Sequence, residues 1–103
     1  LQDKIIFQEI TTGGDKENYC ETGSDRYTIV ELLEPFNQTA KVCNMMYLPP
    51  FVVHGTHNMA TEDYEKNGLI YGYFLHYLEN NYLDKDEILQ HQYLNEWFAT
   101  ILT

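Results

Sequence analysis

YTIVELLEPFNQTAKVCNMMYL, residues Tyr27–Leu48, is the stretch whose reading decides the fold. Read as strands, Tyr27–Leu33 is rich in Ile, Val, Thr and Tyr. Pro35 to Gln38 then turns the chain into Ala40–Leu48, giving an antiparallel hairpin. Read as helix, Ile29, Leu32, Leu33 and Phe36 fall at i, i+3, i+4 and i+7, and Ala40, Cys43 and Tyr47 also keep helical spacing. Periodicity alone does not separate the two over runs this short. The β-branched content of Tyr27–Val30, and of Lys4–Thr11 (KIIFQEIT) upstream, favours strands.

Working outward, Gly13-Gly14 ends the first β run, and the polar stretch from Asp15 to Asp25 reads as a loop. Pro49-Pro50 ends the run before it, because neither proline can donate to a ladder, and Phe51–His54 reads as a last short strand. The second half reads as helix. Thr61 is a fair N-cap with Glu62 and Asp63 at the positive end of the dipole. Tyr71, Phe74, Leu75, Leu78 and Tyr82 share one face, and Asp84 with Glu87 forms a capping box before Leu94, Trp97, Phe98 and Ile101. The expected fold is α+β in one domain spanning residues 1–103. Short antiparallel strands (about 4–11, 27–34, 40–48 and 51–54) precede a helical hairpin (about 62–82 and 85–102). An all-α fold with one disulfide is the alternative.

The charge has a shape. The chain holds 16 Asp+Glu against 6 Lys+Arg, a net of −10. Residues 35–61 contain no acid and a single base, Lys41, so two acidic flanks bracket an uncharged middle that reads as core. So acidic a chain is a poor match for nucleic acid or an anionic membrane, and no apolar run approaches the ~18 residues of a membrane span. Cys20 and Cys43 are an even pair that, if bridged, would act as a staple. With the first residue Leu1 rather than Met, the pair leans toward an extracytoplasmic setting, periplasmic or secreted. The reduced alternative is two buried thiols.

Catalytic motifs are thin. His54 and His57, with Glu62 and Asp63 after them, carry zinc-type ligands, but i, i+3 spacing in a loop is weak, and exposed loop histidines are the favoured reading. Ser24 lies outside any nucleophile elbow, and Gly13-Gly14 lacks the Lys-Ser/Thr of a phosphate loop. No catalytic residue, metal or cofactor is therefore expected. The aromatic residues gather late, and the helix from Leu69 is apolar nearly all round. Leu69, Tyr73, His76, Tyr77, Glu79, Asp84 and Asp86 are the expected partner-binding residues. The cysteine pair and helical tail resemble small exported immunity proteins, with no motif to transfer residue roles. The expectation is a non-enzymatic acidic binding protein, an inhibitor or immunity-type factor, aimed at a protein partner, a basic one or a second copy. A small metal-dependent enzyme around His54 and His57 and a self-associating structural subunit are the alternatives.

Overall fold

The structure is a computed structural model, and it describes residues 2–14, 16 and 27–102. The elements run β1 (Ile5–Ile6), β2 (Glu9–Thr11), α1 (Ile29–Leu32), α2 (Glu34–Val42), β3 (Met46–Tyr47), β4 (Phe51–Val53), α3 (Thr61–Glu79), α4 (Lys85–Ile88) and α5 (Leu94–Leu102).

The helical reading of the deciding stretch is the correct one. Thr28 Oγ1 accepts from Glu31 N, and Glu31 Oε1 accepts from Thr28 N, a complete capping box that starts α1. Pro35 then sits in the first turn of α2, where its missing N–H costs nothing. The expected strand over 27–34 is thus two short helices, and the expected strand over 40–48 begins as the last turn of α2. A helix between two strands forces a crossover, and a crossover makes the strands parallel. β1 pairs with β3 (Ile5 with Met46, Ile6 with Tyr47), and β2 pairs with β4 (Glu9 with Phe51, Ile10 with Val52, Thr11 with Val53), both parallel. The antiparallel α+β arrangement is therefore corrected, and so is the all-α alternative.

The two pairs are one interrupted ribbon. Between them Phe7-Gln8 lie opposite Leu48-Pro49-Pro50, one residue more on the second strand. The prolines occupy this bulge, the position where a strand tolerates residues without N–H groups. Leu48 N donates to Ile6 O at 3.0 Å and Phe51 N to Gln8 O at 2.9 Å, so the ladder resumes on the far side.

A parallel ribbon must be covered on both faces. Leu48, Phe51 and Val53 point into a cluster with Phe74 of α3, Ile88 of α4, and Leu94, Trp97 and Phe98 of α5. Val52 points the other way, to Ile29 of α1 and Tyr93. Phe74 is the one buried residue of the long helix α3, edge-on to Phe7 (4.8 Å) and Phe98 (5.8 Å). The expected helical hairpin is corrected as well. α3 ends at Glu79, α4 is a single turn, and α5 starts at Leu94 and packs on β4.

The open edge of β4 is closed by a side chain. Asn95 Oδ1 accepts from Val52 N at 2.9 Å, and Asn95 Nδ2 donates to Val52 O at 2.8 Å. The amide thus stands in for a neighbouring strand, and Leu94 N donates to Pro50 O at 2.9 Å beside it.

Burial, followed by the charge of Glu96, pushes the Tyr93 phenol above its usual value of 10.0. A raised folded-state value means that the fold holds this proton more tightly than the unfolded chain does. Its contribution is full below pH 10 and is lost as pH rises through the raised value. Tyr93→Phe is expected to flatten the alkaline fall in the thermal midpoint, measured by circular dichroism; an unchanged slope would contradict this.

Candidate functional site

Both strands of the ribbon end on glycine-bearing loops. Thr12-Gly13-Gly14 follows β2, and His54-Gly55-Thr56-His57 follows β4. Parallel strands bring their carboxyl ends together, so loops that are 42 positions apart become neighbours.

Thr12 ties the two together and is only 8% exposed. Its N–H donates to Val53 O at 2.9 Å, and its carbonyl accepts from Thr56 N at 3.0 Å and Thr56 Oγ1 at 3.1 Å. Its hydroxyl donates to Gly14 O at 2.9 Å and lies 2.8 Å from His54 Nδ1. A hydroxyl has one proton, and here it goes to Gly14; His54 Nδ1 must therefore carry its own proton and donate to Thr12 Oγ1. That network places a proton on Nδ1. Gly55 N donates to Gly14 O at 2.9 Å, and Gly55 adopts φ 69°, a left-handed turn suited to glycine. Gly13 is required for a different reason: a Cβ there would collide with the imidazole of His57. The Tyr64 hydroxyl of α3 donates to Thr56 O and anchors the second loop from behind. Beside it a cleft of about 220 Å³ opens, walled by Thr11, Val53, Thr56, Tyr64 and Tyr71.

Thr12→Val keeps the shape but removes the hydroxyl, and with it the contacts to His54 Nδ1 and Gly14 O. We expect a loss of about 1–3 kcal/mol, read by denaturant titration, with Thr12→Ser near wild type. A wild-type midpoint for Thr12→Val would contradict the network.

The residues predicted from sequence are scattered rather than joined. Among the described residues no group of three or more His, Cys, Asp or Glu could hold a metal, so His54, His57, Glu62 and Asp63 do not form a zinc site. Leu69 and Tyr73 are 65% and 53% exposed, and His76 and Glu79 are exposed on the same helix. Tyr77 instead turns into the core against Trp97 and Phe98. Asp84 is the N-cap of α4, accepting from Glu87 N at 3.2 Å, and Asp86 lies in its first turn. Cys43 is a free thiol at the end of α2, which goes against the expected bridge; Cys20 lies outside the described residues. Among the described residues no helix is long and apolar enough to cross a membrane. The Thr12 hub was missed in the sequence, where the signal was a Thr-Thr-Gly-Gly run directly after a β-rich segment.

Several known proteins resemble the chain. General stress protein 14 of Bacillus subtilis is 40% identical over 63 residues, which is 61% of this chain and 36% of that protein. YrkL of the same organism, named as an uncharacterized NAD(P)H oxidoreductase, is 35% identical over 63 residues, again 61% and 36%. KefG of Serratia proteamaculans, named as an ancillary protein of a glutathione-regulated potassium-efflux system, is 36% identical over 66 residues (64% and 36%). In structure, an NADPH-quinone reductase from P. pentosaceus superposes with a TM-score of 0.63 at 26% identity, covering 68% of this chain and 42% of that one. The chain thus spans about a third of the length of the curated relatives it matches. Oxidoreductase names among these relatives overturn the expectation of a non-enzymatic inhibitor or immunity-type factor, and with it the structural-subunit and metal-enzyme alternatives. The partner expectation keeps its coarse form, since KefG is named for work alongside another system. A family described as a flavodoxin-like fold matches residues 1–69, a segment that includes both strands of the parallel ribbon and both glycine loops, and this chain belongs to it.

Proposed function

We propose that this chain is part of an NAD(P)H-dependent quinone-type oxidoreductase, and that its two glycine loops form one wall of a flavin site. The observation that carries the reading is the loop pair at the carboxyl ends of the parallel strands. In flavodoxin-like sheets that edge is where the flavin nucleotide sits. The residues fit such a group. Gly13 has no room for a side chain, and the loop backbone is locked before any ligand arrives by the bonds of Thr12, Gly14 and Gly55. Thr12, Gly13, Gly14 and His57 are the residues that would meet it. A bound flavin supplies two-electron chemistry between a nicotinamide and a quinone. The protein's own part is to orient. Thr12 fixes the spacing of the loops, His54 fixes the Thr12 hydroxyl, and His57 lies over Gly13 as a polar group at the site's margin. A locked loop needs no ordering on binding, which lowers the entropic cost of holding a ligand.

A protein partner belongs to the same reading, given the KefG relatives, and the net charge of −10 suits a basic surface on it. The test of the oxidoreductase reading is NADPH consumption in the presence of 2-methyl-1,4-naphthoquinone by protein loaded with FMN or FAD. Turnover well above that of free flavin is expected. Turnover equal to free flavin, with the flavin bound, would overturn the activity while leaving the site in place.

A further inference from the structure

A second cavity lies against the Pro49-Pro50 bulge of the ribbon and encloses about 370 Å³, toward the lower end of the range for small-molecule sites. It shares no residue with the glycine loops that end β2 and β4. Val30, Leu33, Glu34 and Asn37 form one wall, and their spacing of i, i+3, i+4 and i+7 keeps a single stripe along α1 and α2. Leu89 and His91, from the stretch between the α4 turn and α5, form another. That stretch lies beyond residues 1–69, which the flavodoxin-like family matches. The cavity is thus closed by a part of this chain that the family match does not include.

The polar groups around it are of one kind. Glu34 Oε1 accepts from Gln38 Nε2 at 2.7 Å and Oε2 from Asn37 Nδ2 at 3.4 Å, and these bonds hold the carboxyl below its usual value. It is therefore ionised at neutral pH, yet among the described residues no cation lies within 4 Å of it. His91 is directed instead at Glu96, 3.7 Å away. Two donors at the cavity are already spent. Asn37 Nδ2 goes to Glu34, which leaves Asn37 Oδ1 as a further acceptor, and the Tyr47 hydroxyl goes to Gln8 Oε1. The prolines bring no N–H at all. Burial, followed by the charge of Glu34, holds the Tyr47 phenol above its usual value of 10.0, so the carboxylate's field reaches this neutral ring. An aromatic ring beside a carboxylate suits a cation twice over. Val30 and Leu89 are exposed apolar side chains on the same lining. We propose that this cavity binds a small organic cation, a primary ammonium carried on an apolar body. The ammonium donates to Glu34 and Asn37 Oδ1, and the apolar body covers Val30, Leu89 and the proline rings. The net charge of −10 draws such a cation toward the protein.

The test is an amide chemical-shift titration of the purified protein with three probes of similar shape. They are 2-phenylethylamine as the cation, 2-phenylethanol as its neutral counterpart and phenylacetate as the anion. The amine is expected to saturate with a Kd of about 1 mM, shifting Val30, Asn37 and His91. The alcohol should bind about tenfold more weakly and the acid not at all, because the charge-assisted bond to Glu34 is missing. Glu34→Gln removes the charge with a residue of similar shape and helix propensity, so circular dichroism should be unchanged. It is expected to weaken the amine about tenfold and to abolish its advantage over the alcohol, while flavin binding stays as in the wild type. That last readout separates this site from the flavin wall. An amine that binds no more tightly than the alcohol, shifts centred on Gly13 and Gly55 instead, or a Glu34→Gln variant that holds the amine like the wild type would each overturn the proposal.

Discussion

Phe74→Ala is expected to cost about 3–5 kcal/mol, the range for deleting a buried aromatic ring from a packed core. Phe74 is 0% exposed and edge-on to both Phe7 and Phe98. Tyr77 lies tilted against Phe98 in turn, so removing Phe74 empties the centre of the contact between α3, α5 and the ribbon. Domains of this kind are stable by only about 5–15 kcal/mol, so the variant should be partly unfolded in mild urea. Leu75→Ala, one position along and 42% exposed, is the control and should change stability by less than about 0.5 kcal/mol. Urea titration of both variants checks the pair. Equal losses would mean that α3 does not dock through the Phe74 face.

The second large effect concerns the edge of the ribbon. Asn95→Ala removes both partners of the Val52 backbone, whose residue is only 6% exposed. Two buried backbone groups left without partners should cost about 2–4 kcal/mol. Asn95→Asp is informative beside it. A carboxylate can still accept from Val52 N but has nothing to donate to Val52 O, and it sets a charge against that carbonyl. It should therefore recover little of the loss. Amide hydrogen exchange at Val52 should quicken in both variants. Protection unchanged from the wild type would show that Asn95 does not close the edge.

The long helix α3 was legible because its apolar positions recur at 3.6-residue spacing over a length that strands seldom reach, whereas the expected helix over 85–102 is a single turn, α4, and a separate α5. The first half was not, for a local reason. Tyr27–Leu33 has the composition of a strand, and its helical identity rests on one pair, Thr28 and Glu31, that closes a capping box. Reading that pair would have turned Glu34–Val42 into a helix, the hairpin into a crossover, and the strands from antiparallel to parallel. The site followed the same fate. His54 and His57 stand out in the sequence, yet the residue that holds their loop, through His54 and Thr56, is Thr12, which only a parallel register brings within reach. The exposed face of α3 was legible in part: Leu69, Tyr73, His76 and Glu79 lie outside, while Tyr77 was drawn inward by Trp97 and Phe98.

The central claim is that the loops ending β2 and β4 form a flavin-binding wall. Its most direct test is a fluorescence titration of FMN and FAD against the wild type and Gly13→Val. The branched side chain cannot share space with the His57 ring, so it must displace that ring and spread the loops. The account predicts flavin binding by the wild type and at least about tenfold weaker binding by the variant, with helical content retained. A wild type that binds neither flavin, or a Gly13→Val variant that binds as tightly as the wild type, would contradict it.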